Sequence, residues 1–453
     1  MHQYQPIGYR WRSSQIFLLG TVTIALFGEA FLYGFPVPIL SHMLEVRLGF
    51  DPSQTQTLTT AILSIHGFLG IVSAPVIAHF ADKTPNRKVP LLIALAGCLV
   101  GTVLVASTLN LAMLFVGRVF QSIAGSAAWI VGFAMMADAV PTEHMGKMMG
   151  VALSFVTAGI ISGPMVAGAM LELLGYWPAW TVPLVVLAMD FLARVVMIET
   201  PKEAEASDVP GPADEETSLL HSQDGNSTPE IGKTGFYRLM LSKPRVLIGL
   251  LNVFLYSSIM AGFNATIPLH VRYAFNWGSL PAGMMFLCLQ LPCFVLSVPA
   301  GWMRDKYGQR YPITLGWCIL TPILWLLGVP GDEKFPWASA ETNGKTIFVC
   351  ALVAYGTFGM LVRSGGGLQV TRVGKEMQTK NPQIFGPHGG HSRVFSMVEV
   401  AFSTGTMAGP LIAGPLSENV GFYYMTITFA CLAAVLAVLS LSYMDGPPKK
   451  QQT

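Results

Sequence analysis

Charged residues are scarce in this sequence: Asp, Glu, Lys and Arg make up 11% of its 453 residues, whereas an average soluble domain has about 25%. A chain that is also 52% hydrophobic lacks the polar surface that a soluble protein of this size needs. The charges nearly cancel, to a formal +2, and form no basic cluster of the kind that binds nucleic acid. These shortages exclude a soluble protein and a nucleic-acid-binding protein, and they predict an integral membrane protein.

Cysteines and catalytic groupings are also sparse. The six cysteines all lie inside apolar stretches, and their spacing matches no zinc or redox motif. No nucleophile is spaced with a base in the pattern of a catalytic site. We therefore expect no metal, no cofactor and no enzymatic activity. Residues 1–14 are polar and the first apolar run is too long for a signal-peptide core, so we expect no cleavable leader.

Long apolar runs are what the sequence has in abundance. A membrane-spanning helix needs about 20 mostly apolar residues. Reading by that length predicts twelve spans, at roughly 16–41, 57–80, 89–108, 111–136, 146–173, 177–198, 246–272, 280–302, 312–329, 346–368, 394–416 and 422–443. The prediction is an all-α membrane protein that crosses the lipid bilayer twelve times.

A polar segment divides the twelve spans into two sets of six. Residues 199–243 are rich in Ser, Asp, Gly and Pro and can bury too little apolar surface to fold, so we expect a flexible tether. The predicted units are a six-helix bundle in 1–198, the cytosolic tether in 199–243 and a second six-helix bundle in 244–453.

Two short patterns occur once in each set of six, which indicates a duplicated architecture. One is a charged loop after the second and eighth spans, with Asp82, Lys83, Arg87 and Lys88 in the first copy and Asp305, Lys306 and Arg310 in the second. The other is a Gly-Pro motif in the fifth and eleventh spans, with Gly159, Gly163, Pro164 and Gly168, and then Gly405, Gly409, Pro410 and Gly414. Two equivalent bundles that rock about a central site are the usual build of a secondary transporter. The duplication thus predicts two pseudo-symmetric six-helix bundles and a role in transport.

The distribution of basic residues predicts the orientation. Most Lys and Arg residues fall in the tails, the tether and the loops of one side, whereas the opposite loops hold only Arg47, Arg272, Lys334 and Lys345. Because basic loops stay in the cytosol, both termini are predicted to be cytosolic. The sequence does not distinguish the plasma membrane from a vacuolar or vesicular membrane.

With these motifs the chain resembles the major facilitator superfamily, over nearly all of its length except the tether and tails. The segment 301–310 fits the family's charged loop signature, whereas the first copy departs from it, with Ala78 at a glycine position and an extra residue. The segment 118–125, Arg-Val-Phe-Gln-Ser-Ile-Ala-Gly, is similar to a family pattern in the fourth span. The resemblance implies the major facilitator fold, and it associates the Gly-Pro motif with antiporters rather than symporters.

Three stretches are similar to the twelve-span drug:proton antiporters, and within them to a vesicular-amine-transporter-like fungal branch. They are Glu29 with the following segment 30–40, the segment 264–268 with Asn264 where the branch has an acid, and the segment 394–402 with Glu399. The narrower resemblance implies that the acids of the first and eleventh spans belong to the transport site.

Glu29 and Glu399 are the predicted proton-coupling residues. Glu29 lies roughly 22 Å along the first span, past the middle of the membrane. An ionised carboxylate there costs about 2.5–3.5 kcal/mol, so such a residue faces a cavity or a partner. We expect Glu29 to bind protons and a cationic group of the substrate, unless it is a structural carboxylate paired with Arg118 or His66. Glu399 either couples protons or makes a hydrogen bond that only aligns helices.

Three further polar residues of the spans are candidates for the substrate cavity. Arg118 tunes a nearby carboxylate or holds an anionic group, unless it forms a structural ion pair. His66 titrates in a range suited to proton relay, although a lone buried His is more often a hydrogen-bonded packing residue. Asn264 offers a hydrogen bond to the cavity. Asp190 and Arg194, spaced i, i+4, are expected to neutralise each other as a structural pair.

The charged loops and the Gly-Pro motif predict a gate on the cytosolic side. We expect Asp82 to meet the start of the eleventh span at 392–393, and Asp305 to meet the start of the fifth span at 142–143. A carboxylate near a helix N-terminus is favoured by about 0.3–1 kcal/mol. The basic residues of both loops belong to the same predicted gate, or they only orient the chain. The glycines allow close helix packing, either for packing alone or to seal one face of the transporter.

The sequence as a whole predicts a monomeric, proton-coupled antiporter that exports a small organic molecule such as a drug, toxin, secondary metabolite or amine. Two alternatives stay open. One is a proton symporter or facilitator for uptake of a small solute, and the other is a non-transporting nutrient receptor with the same fold. The substrate itself cannot be identified from these residues.

Overall fold

The chain folds almost entirely into helices. The computed structural model describes residues 8–83, 88–139, 145–198, 233–296, 299–300, 303, 306–339, 341–363, 365–380 and 391–445. Its long helices are α1 Gln15–Gly34, α2 Pro52–Lys83, α3 Lys88–Ala106, α4 Leu111–Ala139, α5 Met145–Leu174, α6 Tyr176–Val196, α7 Pro244–Phe275, α8 Ser279–Val295, α9 Arg310–Gly328, α10 Gly344–Arg363, α11 His391–Asn419 and α12 Phe422–Tyr443.

These helices confirm the all-α membrane fold with two sets of six helices. Over the described ranges, 10 of them are long and apolar enough to cross a membrane. Helix α8 is apolar but has 17 residues, and α11 contains two prolines together with the acid Glu399. We call α1–α6 the N-half and α7–α12 the C-half.

Two predicted boundaries are wrong for local reasons. Helix α1 ends at Gly34 rather than at residue 41, because Pro36 and Pro38 lack the backbone donors that would continue it. The span predicted at 346–368 and the next at 394–416 leave 369–393 outside any helix, but residues 369–380 belong to a helix over Gly365–Lys380 that follows α10. The last residues of the predicted tether, Lys233–Leu241, are helical too.

The helix over Gly365–Lys380 forms because one of its faces is apolar. Val370 and Val373 are buried on that face and pack with Met240 of the helix before α7 and with Val394 of α11. A helix with one apolar face gains stability from such tertiary packing. The second half therefore has its own core at the end of the bundle where the chain termini lie.

The bundle has two distinguishable ends. We call the end with the chain termini the terminus end, and the end with residues 43–51 and 276–278 the loop end. One continuous apolar core joins both halves at the loop end. There it contains Phe35, the residue after α1, and Phe275 of α7. At the terminus end, each half has a separate apolar cluster, around Met135 in the N-half and around Val370 in the C-half.

Candidate functional site

Glu29 lies buried in α1, where α4 provides space for its carboxylate. The Glu29 side chain is only 8% exposed. A Cβ atom on Gly125 of α4 would collide with Glu29 Oε1, so the absence of a side chain at position 125 makes room for the acid. The segment 118–125, recognised from the sequence, therefore has a direct structural role beside the predicted proton-coupling residue.

Arg118 is the positive charge that acts on Glu29. Its side chain is 1% exposed, and its charge is the electrostatic influence on the Glu29 carboxylate. Arg118 Nη1 donates to Gln121 Oε1 at 2.9 Å, and Gln121 Nε2 donates to Thr102 Oγ1 of α3 at 2.9 Å. Its Nε and Nη2 have no hydrogen-bond partner. The guanidinium thus retains donors for a further group, and it makes no direct ion pair with Glu29 in the described structure.

His66 joins α2 to the same site. His66 Nδ1 and Ser122 Oγ of α4 lie 2.6 Å apart, within hydrogen-bond distance, and the rings of His66 and Tyr33 have centroids 5.0 Å apart. The Tyr33 side chain in turn hydrogen-bonds Asn264 of α7 across the two halves. The structure therefore brings Glu29, Arg118, His66 and Asn264 into one region between α1, α2, α4 and α7. We call this region the acid site.

Glu399 lies apart from the acid site, on α11 where it faces α2. Ser403, one turn nearer the loop end, is 3.5 Å from Glu399 Oε1 and lies directly against Gly70 of α2. The Glu399 side chain is exposed to solvent although protein atoms surround it closely. No contact between Glu399 and Glu29 is present in the described structure.

The C-half has polar residues at a place equivalent to the acid site, between α7, α8 and α10. Arg363 Nη1 lies 3.5 Å from Cys293 Sγ, and Tyr256 hydrogen-bonds the same thiol. A Cβ atom on Gly359 would lie 3.8 Å from the Tyr256 ring, as Gly125 lies beside Glu29. The sequence did not show this group, because its members match no motif.

Asp190 and Arg194 of α6 form the predicted structural pair. Arg194 Nε and Asp190 Oδ1 lie 3.2 Å apart, and both side chains are buried. A buried charge without a partner is strongly unfavourable. The i, i+4 spacing was therefore a reliable sign of a pair, and this prediction is confirmed.

The Gly-Pro motif has the same packing role in both halves. A Cβ atom on Gly159 would lie 2.5 Å from the Phe27 carbonyl oxygen, and one on Gly163 would collide with the Phe31 carbonyl oxygen, both in α1. In α11, Gly405 and Gly409 lie equally close to the α7 backbone. Pro164 and Pro410 are accommodated within continuous helices. The first two glycines of each copy thus hold a helix against the first helix of its own half.

The third glycine of each copy contacts the opposite half. Gly168 of α5 lies against the backbone of Ser279 in α8, and Gly414 of α11 lies against Thr60 of α2. A side chain at either position would separate the two halves. The motif therefore combines packing within a half with contact between halves.

Several polar contacts join the two halves at the loop end. Gln56 Nε2 donates to the Ala265 carbonyl oxygen at 3.1 Å, and Arg272 and Glu45 form an ion pair of 2.6 Å. The side chains of Glu172 and Glu418 also accept hydrogen bonds across this interface. These contacts hold the two halves together at the loop end.

The charged loops are only partly described, and Lys88 and Arg310 each bind a helix end within their own half. Lys88 Nζ donates to the carbonyl oxygens of Val195, at 2.9 Å, and of Met197, at the end of α6. Arg310 Nη2 donates to the Ser442 carbonyl oxygen at the end of α12 at 3.3 Å. These cations cap helix C-termini, where a positive charge is favoured.

The remaining predicted gate residues are described only in part or not at all. Lys306 is exposed and lies over the Tyr307 ring at 5.3 Å. The side chains of Asp82 and Lys83, the whole of Arg87 and Asp305, and the predicted partners at 142–143 and 392–393 lie outside the residues or side chains that the structure describes. The predicted cytosolic gate therefore stays a prediction.

The fold and the acid site together define a class of protein. The two six-helix halves meet at the loop end of the bundle. Ionisable side chains lie between their helices, on the inner side of that contact. This arrangement is that of a secondary transporter, and it is not that of an enzyme.

The comparisons with known proteins identify the family. The model of the Major Facilitator Superfamily matches residues 22–379, and the chain belongs to that family. It is 31% identical over 441 residues to an uncharacterized MFS-type transporter of Schizosaccharomyces pombe, covering 95% of each chain. It is 22% identical over 386 residues to the chromaffin granule amine transporter of Homo sapiens, covering 82% of this chain and 63% of the relative.

A solved structure confirms the fold. The D-xylose-proton symporter superposes with a TM-score of 0.70 at 13% identity, covering 95% of this chain and 98% of the symporter chain. At this identity the similarity concerns the fold alone.

Proposed function

We propose that the chain is a proton-coupled antiporter that exports a small organic molecule by alternating access. The observation that carries the proposal is the burial of Glu29 beside Arg118 between α1 and α4, with space provided by Gly125. An ionised carboxylate among apolar helices is unfavourable unless a proton or a cation neutralises it. Replacement of the proton by a bound cation therefore costs little. Glu29 would thus bind a proton and the substrate in alternate states of the cycle.

The energetics of such exchange are adequate. Each pH unit across the membrane supplies about 1.4 kcal/mol per proton, and 100 mV supplies about 2.3 kcal/mol per charge. One proton therefore sustains at least about a tenfold substrate gradient at one pH unit. The similarity to the chromaffin granule amine transporter and the Gly-Pro motif both support export of an organic molecule by antiport.

The state of the structure fits export when the terminus end is cytosolic. We propose the cytosolic placement from the basic residues of the tails and loops. The described contacts at the loop end would then close the side opposite the cytosol, and this closure belongs to the state that loads a molecule for export. The acid site is built from one chain, so we propose that a monomer transports, in a plasma, vacuolar or vesicular membrane.

Proton-driven flux in sealed vesicles tests the proposal. We expect wild-type protein to move a probe such as ethidium, or a member of a panel of cytotoxic compounds, against its gradient when a pH gradient is applied. Collapse of the proton gradient should stop this flux, and Glu29→Gln should reduce it to background. The control Glu341→Gln, at an exposed loop position, should leave it unchanged. Efflux that persists without the gradient would contradict the proposal.

Proton symport for uptake is the second candidate, because the chain shares its fold with a D-xylose-proton symporter. The direction of labelled flux distinguishes the two functions. In symport, the substrate accumulates on the side to which protons flow, whereas in antiport it leaves that side.

A further inference from the structure

The duplication extends beyond the Gly-Pro motif to an acid and a further glycine. In α5, Glu172 follows the third glycine by four residues and precedes Gly175 by three. The second copy repeats this spacing with Gly414, Glu418 and Gly421. A pattern kept in both halves at the same offset from a known contact points to a shared role.

The final glycines fix these acids at the loop end. Gly175 and Gly421 have φ angles of 91° and 108°, in a region that favours glycine, and each directly precedes the next helix. The chain therefore turns sharply between α5 and α6 and between α11 and α12. Glu172 and Glu418 both lie in the last turn before such a corner.

Glu172 binds the start of a helix in the opposite half. Its Oε2 accepts a hydrogen bond of 2.7 Å from the Leu280 backbone N–H, in the first turn of α8. This N–H has no partner within its own helix, and the positive end of the helix dipole favours a carboxylate there. Gly278, the residue before α8, has no side chain to block the approach, since a Cβ atom there would lie 2.5 Å from the carboxylate.

Glu418 makes the equivalent contact in the other direction. Its Oε2 accepts a hydrogen bond of 2.7 Å from Thr57 Oγ1, near the start of α2 in the N-half. Helix α5 thus reaches α8, and α11 reaches α2, which are the pairs that the duplication makes equivalent. Both acids lie just beyond the glycine of their own copy that touches the opposite half.

We propose that Glu172 and Glu418 are two matched latches that hold the loop end closed and are released each time the transporter opens to that side. They are positioning residues for the transport cycle and do not contact the substrate. The proposal rests on alternating access between the two halves, and it requires neither proton coupling nor a particular substrate.

The latches are tested by accessibility from the loop end. The full chain, with its native cysteines replaced, would carry Thr60→Cys as reporter, since Thr60 is 5% exposed and faces Gly414 across the interface. A membrane-impermeant thiol reagent is applied to the side of the loop end. We expect Glu172→Ala and Glu418→Ala each to raise the labelling rate by roughly three- to tenfold, because each loses a hydrogen bond to a charged group.

Thr57 supplies a matched comparison. Thr57→Val removes only the donor to Glu418 and should raise labelling as much as Glu418→Ala, with no further increase in the double variant. Thr57→Ser keeps the hydroxyl and should retain the slow rate, as should Glu341→Gln. The size-exclusion profile checks that each variant is folded.

Two results would overturn the latches. One is an unchanged labelling rate in folded Thr57→Val and Glu172→Ala, and the other is full additivity of Thr57→Val with Glu418→Ala. Labelling requires no substrate and no proton gradient, so it separates this proposal from the proposed function. Altered labelling without proton-driven efflux would support the latches and contradict only the antiporter.

Discussion

Position 125 shows how a single residue shapes the acid site. Gly125 is needed because the Glu29 carboxylate occupies the space that a side chain would fill. The group that would have to move is the end of a flexible side chain, so the fold can tolerate a methyl group there. The consequence of a substitution at this position should therefore appear in transport before it appears in stability.

We predict that Gly125→Ala expresses and folds normally but lowers proton-driven transport by about tenfold, because the carboxylate is displaced from its position. The matched control is Gly132→Ala on the same helix, where a Cβ atom would make only an ordinary contact of 3.5 Å with Val22. Flux in vesicles and thermal unfolding in detergent, measured on both variants, check the prediction. Equal flux in the two variants would show that the geometry at Gly125 is unimportant.

Individual residues also show what could be predicted from sequence. The pair Asp190–Arg194 was predicted from spacing alone, because i, i+4 neighbours meet on any helix. The partners of Glu29 could not be chosen in this way, since Arg118 and His66 come from other helices and their distances depend on the tertiary packing. Glu172 and Glu418 were missed, although the signal was present: each stands four residues after a duplicated glycine.

At the scale of elements, the duplicated glycines of α5 and α11 have two different packing roles. The first two glycines of each copy meet the backbone of their own half, and the third meets the opposite half. A methyl group at the first kind of position forces backbone movement inside a six-helix bundle. A methyl group at the second kind acts as a wedge between the two bundles.

We predict different outcomes for the two kinds of position. Gly163→Ala should destabilise the protein by about 1–3 kcal/mol, as overpacking in a rigid site does, and should lower its thermal unfolding midpoint. Gly168→Ala should instead increase labelling of Thr60→Cys from the loop end, with a smaller loss of stability. Gly20→Ala, where no atom lies within 4 Å of the added Cβ, is the control. Similar stability losses for Gly163→Ala and Gly168→Ala would contradict this division.

The elements themselves were predictable where apolar length decided them and not where local chemistry intervened. Twelve spans followed from hydropathy, but the end of α1 is set by Pro36 and Pro38. The helix over Gly365–Lys380 is too polar for a span, and its formation depends on partners such as Met240 that are distant in sequence. The apolar face that contacts those partners could have been predicted from the helical spacing of Val370 and Val373, which are three residues apart.

At the scale of the molecule, the closed end was not predictable, because one sequence must serve both the closed and the open state of each side. The gate predicted from the charged loops concerns the terminus end, whereas the described contacts between halves concern the loop end. The structure describes one of the two states.

We predict that a continuous chain is not required between the halves. Insertion of a protease site between residues 207 and 226, in the predicted tether, followed by cleavage, should leave proton-driven flux within about twofold of the uncut protein. The reason is that contacts at the loop end, such as the ion pair between Glu45 and Arg272, join the halves without the tether. Loss of flux upon cleavage, with both fragments still associated on a gel-filtration column, would show that the tether itself takes part in transport.

The bonds at the end of α6 have a consequence for biosynthesis. Arg12 Nε donates to the Val196 carbonyl oxygen at 2.7 Å, and Lys88 reaches the carbonyls on either side of it. The beginning of the nascent chain therefore cannot reach its final partners until the ribosome has passed residue 198. At about 5–20 residues per second, translation of residues 199–243 then gives the first bundle roughly 2–9 s to assemble before the second enters the membrane.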